Sequence, residues 1–263
     1  MAVREKYDHG IPNWLDLSTT DVPGAKAFYN AVFGWDFEDE PTDDGSIYTM
    51  ASIGGKSVAG IFELSAEMAE GGMPPMWNHY INVDDVEAAA AAVTGAGGNV
   101  MAPPFDVMDA GRMAVVADPT GAVTGLWQAK DNIGAELVNE AGSFGWSEVY
   151  SPDVGAAVKF YTDVFGWKTF DMPMEDGPDY TLLTTDGTPE GGFAGAMPPP
   201  MEGVPPHWAL WFMTDDTDGT VEKAKAAGGV VMQEPMDIMP GRMALLTDPA
   251  GALFFVLQPA PQG

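Results

Sequence analysis

Two acidic side chains recur at one position of a repeated segment: Asp16 in Trp14–Ser18 (WLDLS) and Glu148 in Trp146–Tyr150 (WSEVY). In the first copy, strand alternation puts Leu15 and Leu17 on one face and Trp14, Asp16 and Ser18 on the other. A carboxylate among aromatic side chains loses its water. That raises its pKa unless a cation pairs with it, and a raised value suits a general base removing a proton beside a carbonyl. Asp16 and Glu148 are therefore the candidate catalytic residues. Two arginines recur in the same way, Arg112 and Arg242, each opening an R-M-A stretch after a glycine. Each could clamp an anionic ligand, pair with a wall carboxylate, or anchor the turn that follows. The chain has no cysteine and only three histidines, which excludes disulfides, thiolate metal sites and cysteine nucleophiles.

The elements that must position these groups are written twice, at offsets of about 131 residues. Asp21–Trp35 and Asp153–Trp167 share D-x6-F-Y-x3-F-G-W, and Asp118–Ala122 and Asp248–Ala252 share D-P-x-G-A. Each D-x6-F-Y segment reads as a helix. Thr20 or Asp21 caps the first, Pro23 suits its first turn, Ala27, Phe28, Ala31 and Val32 give an apolar stripe, and Gly34 ends it. Strands follow at Ile47–Ile53 and Ser57–Phe62 around Gly54-Gly55, and the order then repeats from Tyr80, with a helix over Val86–Ala96. The expectation is α+β, with four βαβββ units forming two domains over residues 10–130 and 144–260. The linker falls within Ala129–Ser143.

Bulk composition narrows the function. The 263 residues are 46% hydrophobic and 19% charged, with a net charge of −28, which argues against nucleic-acid partners. There is no apolar run of membrane-spanning length, and MAVREKYDHG lacks the apolar core of a signal peptide. A cytoplasmic protein that does not bind membranes is expected, with a small molecule as partner. A monomer is the default, a homodimer the alternative.

Four βαβββ units carrying D-x6-F-Y-x3-F-G-W and D-P-x-G-A resemble the vicinal oxygen chelate superfamily of glyoxalase I, extradiol dioxygenases and bleomycin-resistance proteins. They are most similar to tandem two-domain glyoxalase-like proteins of actinobacterial type. The resemblance covers roughly residues 12–258 and implies, in each domain, a curled mixed sheet around a cavity. In metal-dependent members strand residues supply the metal ligands. The resemblance places those positions at Trp14, Asn78 and Gly125 in the first domain and at Trp146, Ala209 and Phe255 in the second. None of the six is an ordinary ligand for a divalent ion, which takes imidazole or carboxylate donors. No cofactor is expected, except for a divalent metal at a displaced site in the first domain. Asp16, Glu63 (at a position resembling a further glyoxalase glutamate) and His79 are the weak candidates there. His79 lies one residue out of register and should point to the helix side.

Carried along the strands, the same register puts Trp14, Asp16, Asn78, Tyr80 and Trp127 on one cavity wall. It puts Trp146, Glu148, Tyr150, Trp211 and Phe255 on the other. Two functions remain open. One is metal-independent binding or sequestration of a small hydrophobic or aromatic molecule, as in bleomycin resistance. The other is a glyoxalase-like lyase or isomerase, or a hydroxylase-like enzyme, using Asp16 or Glu148 as base or a rebuilt metal site. These aromatics could equally be plain core.

Overall fold

The computed structural model describes residues 2–43, 45–174, 180–200 and 202–261. A two-residue strand β1 (Ala2–Val3) precedes the first domain. That domain runs β2 (Pro12–Thr19), α1 (Val22–Phe33), β3 (Asp36–Pro41), β4 (Ile47–Ile53), β5 (Lys56–Glu63), α2 (Ala66–Glu70), β6 (Met76–Asn82), α3 (Val86–Gly95), β7 (Asn99–Val107), β8 (Gly111–Ala117) and β9 (Val123–Ala129). The linker holds β10 (Leu137–Val138). The second domain runs β11 (Phe144–Tyr150), α4 (Val154–Phe165), β12 (Lys168–Met172), β13 (Tyr180–Thr184), β14 (Gly192–Met197), β15 (His207–Met213), α5 (Thr217–Ala226), β16 (Val230–Ile238), β17 (Gly241–Thr247) and β18 (Leu253–Pro259). The short helix α2 and the linker strand β10 have no counterpart among the elements expected from sequence.

Each domain pairs its own two units. The first sheet has the order β3-β4-β5-β2-β6-β9-β8-β7, and the second β12-β13-β14-β11-β15-β18-β17-β16. At each centre the two first strands of the units run antiparallel, with Asp16 opposite Asn78 and Glu148 opposite Ala209. Strand β10 runs parallel to β11 and accepts β1 along its other side, so the N-terminus extends the second domain's sheet.

The four unit helices share one start signal. Asp21, Asp85, Asp153 and Asp216 each accept a backbone N–H three residues on, at 2.9–3.0 Å. Helices α1 and α4 stop at Gly34 and Gly166, whose φ of 73° and 70° favour glycine.

The F-Y and D-P-x-G motifs meet at the seam between the domains. Helix α1 lies beside α5, and α3 beside α4. Phe28 packs edge-on against Phe254 of the second sheet and fills the space a Cβ on Gly229 would need. Phe160 does the same above Gly98. Trp77 Nε1 donates to the Tyr29 hydroxyl at 3.0 Å, and that hydroxyl reaches Asp248 Oδ2 at 3.4 Å. Trp208 Nε1 donates to the Tyr161 hydroxyl at 2.9 Å, and Asp118 stands near enough to help raise that tyrosine's pKa. The other oxygen of each aspartate, Oδ1, holds its own turn through three backbone N–H groups. Trp35 and Trp167 complete the exchange, donating at 2.8 Å to the carbonyls of Gly142 and Gly10. The repeated motifs therefore encode an interdomain core in which the Trp–Tyr pair of each domain faces the D-P-x-G turn of the other.

Candidate functional site

On the inner face of the first sheet, the Asp16 carboxylate is 4% exposed and takes three hydrogen bonds. Asn78 Nδ2 donates to Oδ1 at 2.9 Å, and the Tyr48 and Tyr80 hydroxyls each donate to Oδ2 at 3.0 Å. Trp14 Nε1 donates in turn to the Tyr48 hydroxyl at 2.9 Å. The second domain repeats the design with other donors. Glu148, 6% exposed, receives Tyr180 at 2.7 Å on Oε1, then Tyr150 at 3.1 Å and Trp211 Nε1 at 3.2 Å on Oε2. Trp146 Nε1 donates to the Tyr180 hydroxyl at 2.9 Å.

Both sites are a tryptophan–tyrosine–carboxylate relay on a strand wall. Tyr48 and Tyr180 reach the acid because glycine leaves the path open. A Cβ on Gly60 or on Gly195 would collide with the hydroxyl of the tyrosine beside it. These four residues were missed in the sequence, although Tyr48-Thr49 and Tyr180-Thr181 recur at the same 132-residue offset as the two acids.

Burial sets the electrostatics. Desolvation pushes Asp16 up to about 6, against the opposing pull of its three donors. Desolvation also raises Glu148, and Tyr180, Tyr150 and Trp211 limit the rise. Tyr48, Tyr80 and Tyr180 are pushed upward first by burial and then by the neighbouring carboxylate, so they stay protonated and keep donating. Among the described residues no lysine or arginine pairs with either acid.

The arginines lie elsewhere, so of the roles open to them neither clamping a ligand in the cavity nor pairing with a wall carboxylate fits their place in the fold. Arg112 sits opposite Gln128, one residue out of step with Met113 and Trp127, so its side chain emerges on the helix side. There it pairs with Glu87 at 2.6 Å and with Asp106 at 3.3 Å. Arg242 binds both oxygens of Asp218 at 2.6 and 2.9 Å, and Asp237 at 3.1 Å. Both arginines tie the first turn of a helix to the β7–β8 or β16–β17 hairpin.

The displaced metal candidates do not converge. Glu63 pairs with Thr19 while Gly60 pairs with Asp16, so Glu63 belongs to the face of Leu17 and Ile61 and is exposed at the strand end. His79 is opposite Leu15 on that same far face, buried and stacked on Trp208 with ring centroids 4.2 Å apart. The inherited register fits a metal no better. Trp14 offers only an N–H, already spent on Tyr48, Asn78 Nδ2 is held by Asp16, and Gly125 lies under the Tyr80 ring. In the second domain Trp146 is spent on Tyr180, Ala209 has no donor, and Phe255 stacks on Trp211 at 4.2 Å. Among the described residues no three His, Asp or Glu side chains cluster as a metal site would require.

The remaining wall residues are aromatic. Trp127 lies over Gly111 and donates to the Asn132 carbonyl at 2.8 Å. Trp211, Met243 and Leu257 form a small separate cluster with Trp146, Met213 and Phe255 on the second inner face. Trp146 and Phe255 stay half-buried there.

Comparison with known proteins agrees with this architecture. The sequence model of the Glyoxalase/Bleomycin resistance protein/Dioxygenase superfamily matches residues 11–125 and 143–256. The chain is 48% identical over 264 residues to "Putative glyoxylase CFP32" of Mycobacterium tuberculosis, covering 100% of both proteins. It is 36% identical to the "Anthracycline biosynthesis protein DnrV" of Streptomyces peucetius, over 96% of this chain and 94% of that one. Among solved structures, the Mn(II)-bound glyoxalase from Novosphingobium aromaticivorans superposes with a TM-score of 0.64 at 17% identity. That match covers 94% of this chain and 81% of the other. No helix among the described residues is long and apolar enough to cross a membrane. The chain belongs to the glyoxalase/bleomycin resistance/dioxygenase superfamily, as a tandem of two glyoxalase-fold domains.

Proposed function

We propose that the protein binds a flat aromatic small molecule without a metal, on the inner faces of its sheets, in the manner of the bleomycin-resistance branch of its superfamily. One observation carries this reading. In both domains a buried, triply hydrogen-bonded carboxylate stands on an aromatic wall beside the positions where the resemblance puts metal ligands, and among the described residues no lysine or arginine pairs with it. A carboxylate has about four acceptor sites, so each acid keeps capacity for one more donor. Rings and an unpaired anion together suit an aromatic ligand that carries an ammonium group. The name of the Streptomyces peucetius relative connects that protein to the biosynthesis of anthracyclines, a class of flat polycyclic compounds. An anthracycline is therefore the first ligand to test. Titration followed by tryptophan fluorescence should show saturable binding, weakened about thirtyfold in Trp14→Ala or Trp146→Ala, the cost of truncating an aromatic anchor. Unchanged affinity in both variants would remove the basis for this reading.

The elevated Asp16 favours a second reading, a metal-free lyase or isomerase. A carboxylate near pH 6 in a dry setting is a competent base for a proton beside a carbonyl. Turnover of a methylglyoxal–thiol adduct should then be lost in Asp16→Asn with the fold intact. Full activity in both Asp16→Asn and Glu148→Gln would leave it without a mechanism.

A further inference from the structure

The repeat builds one surface position twice and fills it once. Equal hydrogen bonds align the two copies: the Gly10 N–H donates to the Asn82 carbonyl at 2.8 Å, and the Gly142 N–H to the Met213 carbonyl at 2.8 Å. The residue before each glycine is His9 in one copy and Ala141 in the other. The His9 ring lies 6.3 Å from that of Phe165, and its Nδ1 accepts the Asp84 N–H at 3.2 Å. A backbone N–H can only donate, so Nδ1 is the bare nitrogen of a neutral imidazole.

The other copy has the surroundings without the ring. Phe33 stands at the position of Phe165, and Asp215 at that of Asp84. Phe165 is buried, whereas Phe33 is only half-buried. A pocket of about 340 Å³ opens there, bounded by Phe33 and Gly34 at the end of α1, by Ala141 in the linker, and by Asp215, Thr220 and Lys223 at α5. Among the described residues no group accepts the Asp215 N–H. The chain thus carries its own template for an occupant: where the pocket has a counterpart, an imidazole stands in it.

We propose that this pocket, separate from the inner faces, binds a small molecule through a neutral imidazole-type ring that covers Phe33 and accepts the Asp215 N–H, as His9 does beside Phe165 and Asp84. An apolar cavity of about 150 Å³ takes up benzene, so the larger space here holds one five-membered ring and a substituent. Contact with the uncovered phenylalanine supplies affinity, and the acceptor nitrogen supplies selection, about fivefold for one neutral hydrogen bond. 4-Methylimidazole, the side chain of histidine, and 3-methylpyrrole, alike in shape without the acceptor nitrogen, serve as the probes.

Titration of the full-length protein at mildly alkaline pH keeps the first ring neutral. 4-Methylimidazole should bind about fivefold more tightly than 3-methylpyrrole. Amide NMR of the wild type locates the site without any variant. 4-Methylimidazole, and not 3-methylpyrrole, should move the Asp215 amide proton downfield, while the Asp84 amide, already held by His9, stays in place. Ala141→His, at an exposed position, installs the residue of the other copy and should abolish the response by filling the pocket. His9→Ala should make the Asp84 amide respond as well. Equal affinities for the two probes, an unmoved Asp215 amide, a response that survives Ala141→His, or an Asp84 amide still silent in His9→Ala would each overturn the proposal.

Discussion

The two inner faces reach one electrostatic arrangement with different side chains. In the first domain an aspartate is held by an amide and two tyrosines; in the second a longer glutamate is held by two tyrosines and an indole. Tyr80 and Asn78 are traded for Trp211 and Ala209, and Tyr150 occupies the position of Ser18. The relay from tryptophan through tyrosine to the acid is retained in both. The change of donors around a retained carboxylate points to an arrangement organised around the acid, with the rings as its supports. The faces differ most at Gly125 and Phe255. The first leaves Tyr80 covering bare backbone, while the second plugs the wall with a stacked pair.

That equivalence is tested most severely by the glycines beneath the relay. Gly60→Ala and Gly195→Ala force Tyr48 or Tyr180 off its acid. Crowding and a lost donor to a buried charge should together cost roughly 2–5 kcal/mol by chemical denaturation. Similar losses in both variants support a shared design, and a loss confined to one would break it.

The pH dependence tests the burial of the first acid. The native value for Asp16, about 6, lies above the roughly 4 of an unfolded aspartate, so the native state holds the extra proton between them. Its contribution to stability is complete below pH ~4 and lost as the pH rises through ~6. The stability of the wild type relative to Asp16→Asn should therefore fall by about 2 kcal/mol from pH 4 to pH 7. A flat or rising difference would contradict the burial argument.

Smaller effects refine the comparison. Phe255→Ala removes the ring stacked on Trp211 and should cost about 2 kcal/mol, with a change in tryptophan emission, while opening the second face toward the form of the first. Arg112→Ala and Arg242→Ala should leave the melting midpoint and ligand affinity unmoved, because exposed ion pairs contribute little and neither arginine faces a site. Lost affinity in either variant would return the arginines to the binding surface.

Much of this fold was legible because its signals are local. The aspartate caps, the glycine stops and the alternation around Asp16 each depend on a few neighbouring residues. Pairing of units within each half was not legible, since nothing local chooses between the two halves. Glu63 illustrates the limit. Its face is fixed by the parallel register of β2 on β5, set across more than forty residues, and a one-residue shift moves a side chain to the opposite face. The two arginines fall on the helix side for the same reason. Tyr48 and Tyr180 were hidden by distance, because each reaches the acid across an intervening strand, over a glycine whose lack of a side chain has meaning only in three dimensions. The helix tyrosines Tyr29 and Tyr161 stood in the sequence only as part of a repeated F-Y pair, and in the fold the Tyr29 hydroxyl reaches Asp248 of the other domain while Tyr161 stands beside Asp118.

The central claim is that the acids serve a ligand directly and not through a metal. An anthracycline titration of the purified protein before and after exhaustive chelation tests it most directly. The two isotherms should superimpose, and added Zn²⁺, Ni²⁺, Mn²⁺ or Fe²⁺ should change neither. Binding that disappears on chelation and returns with one equivalent of metal would contradict the account.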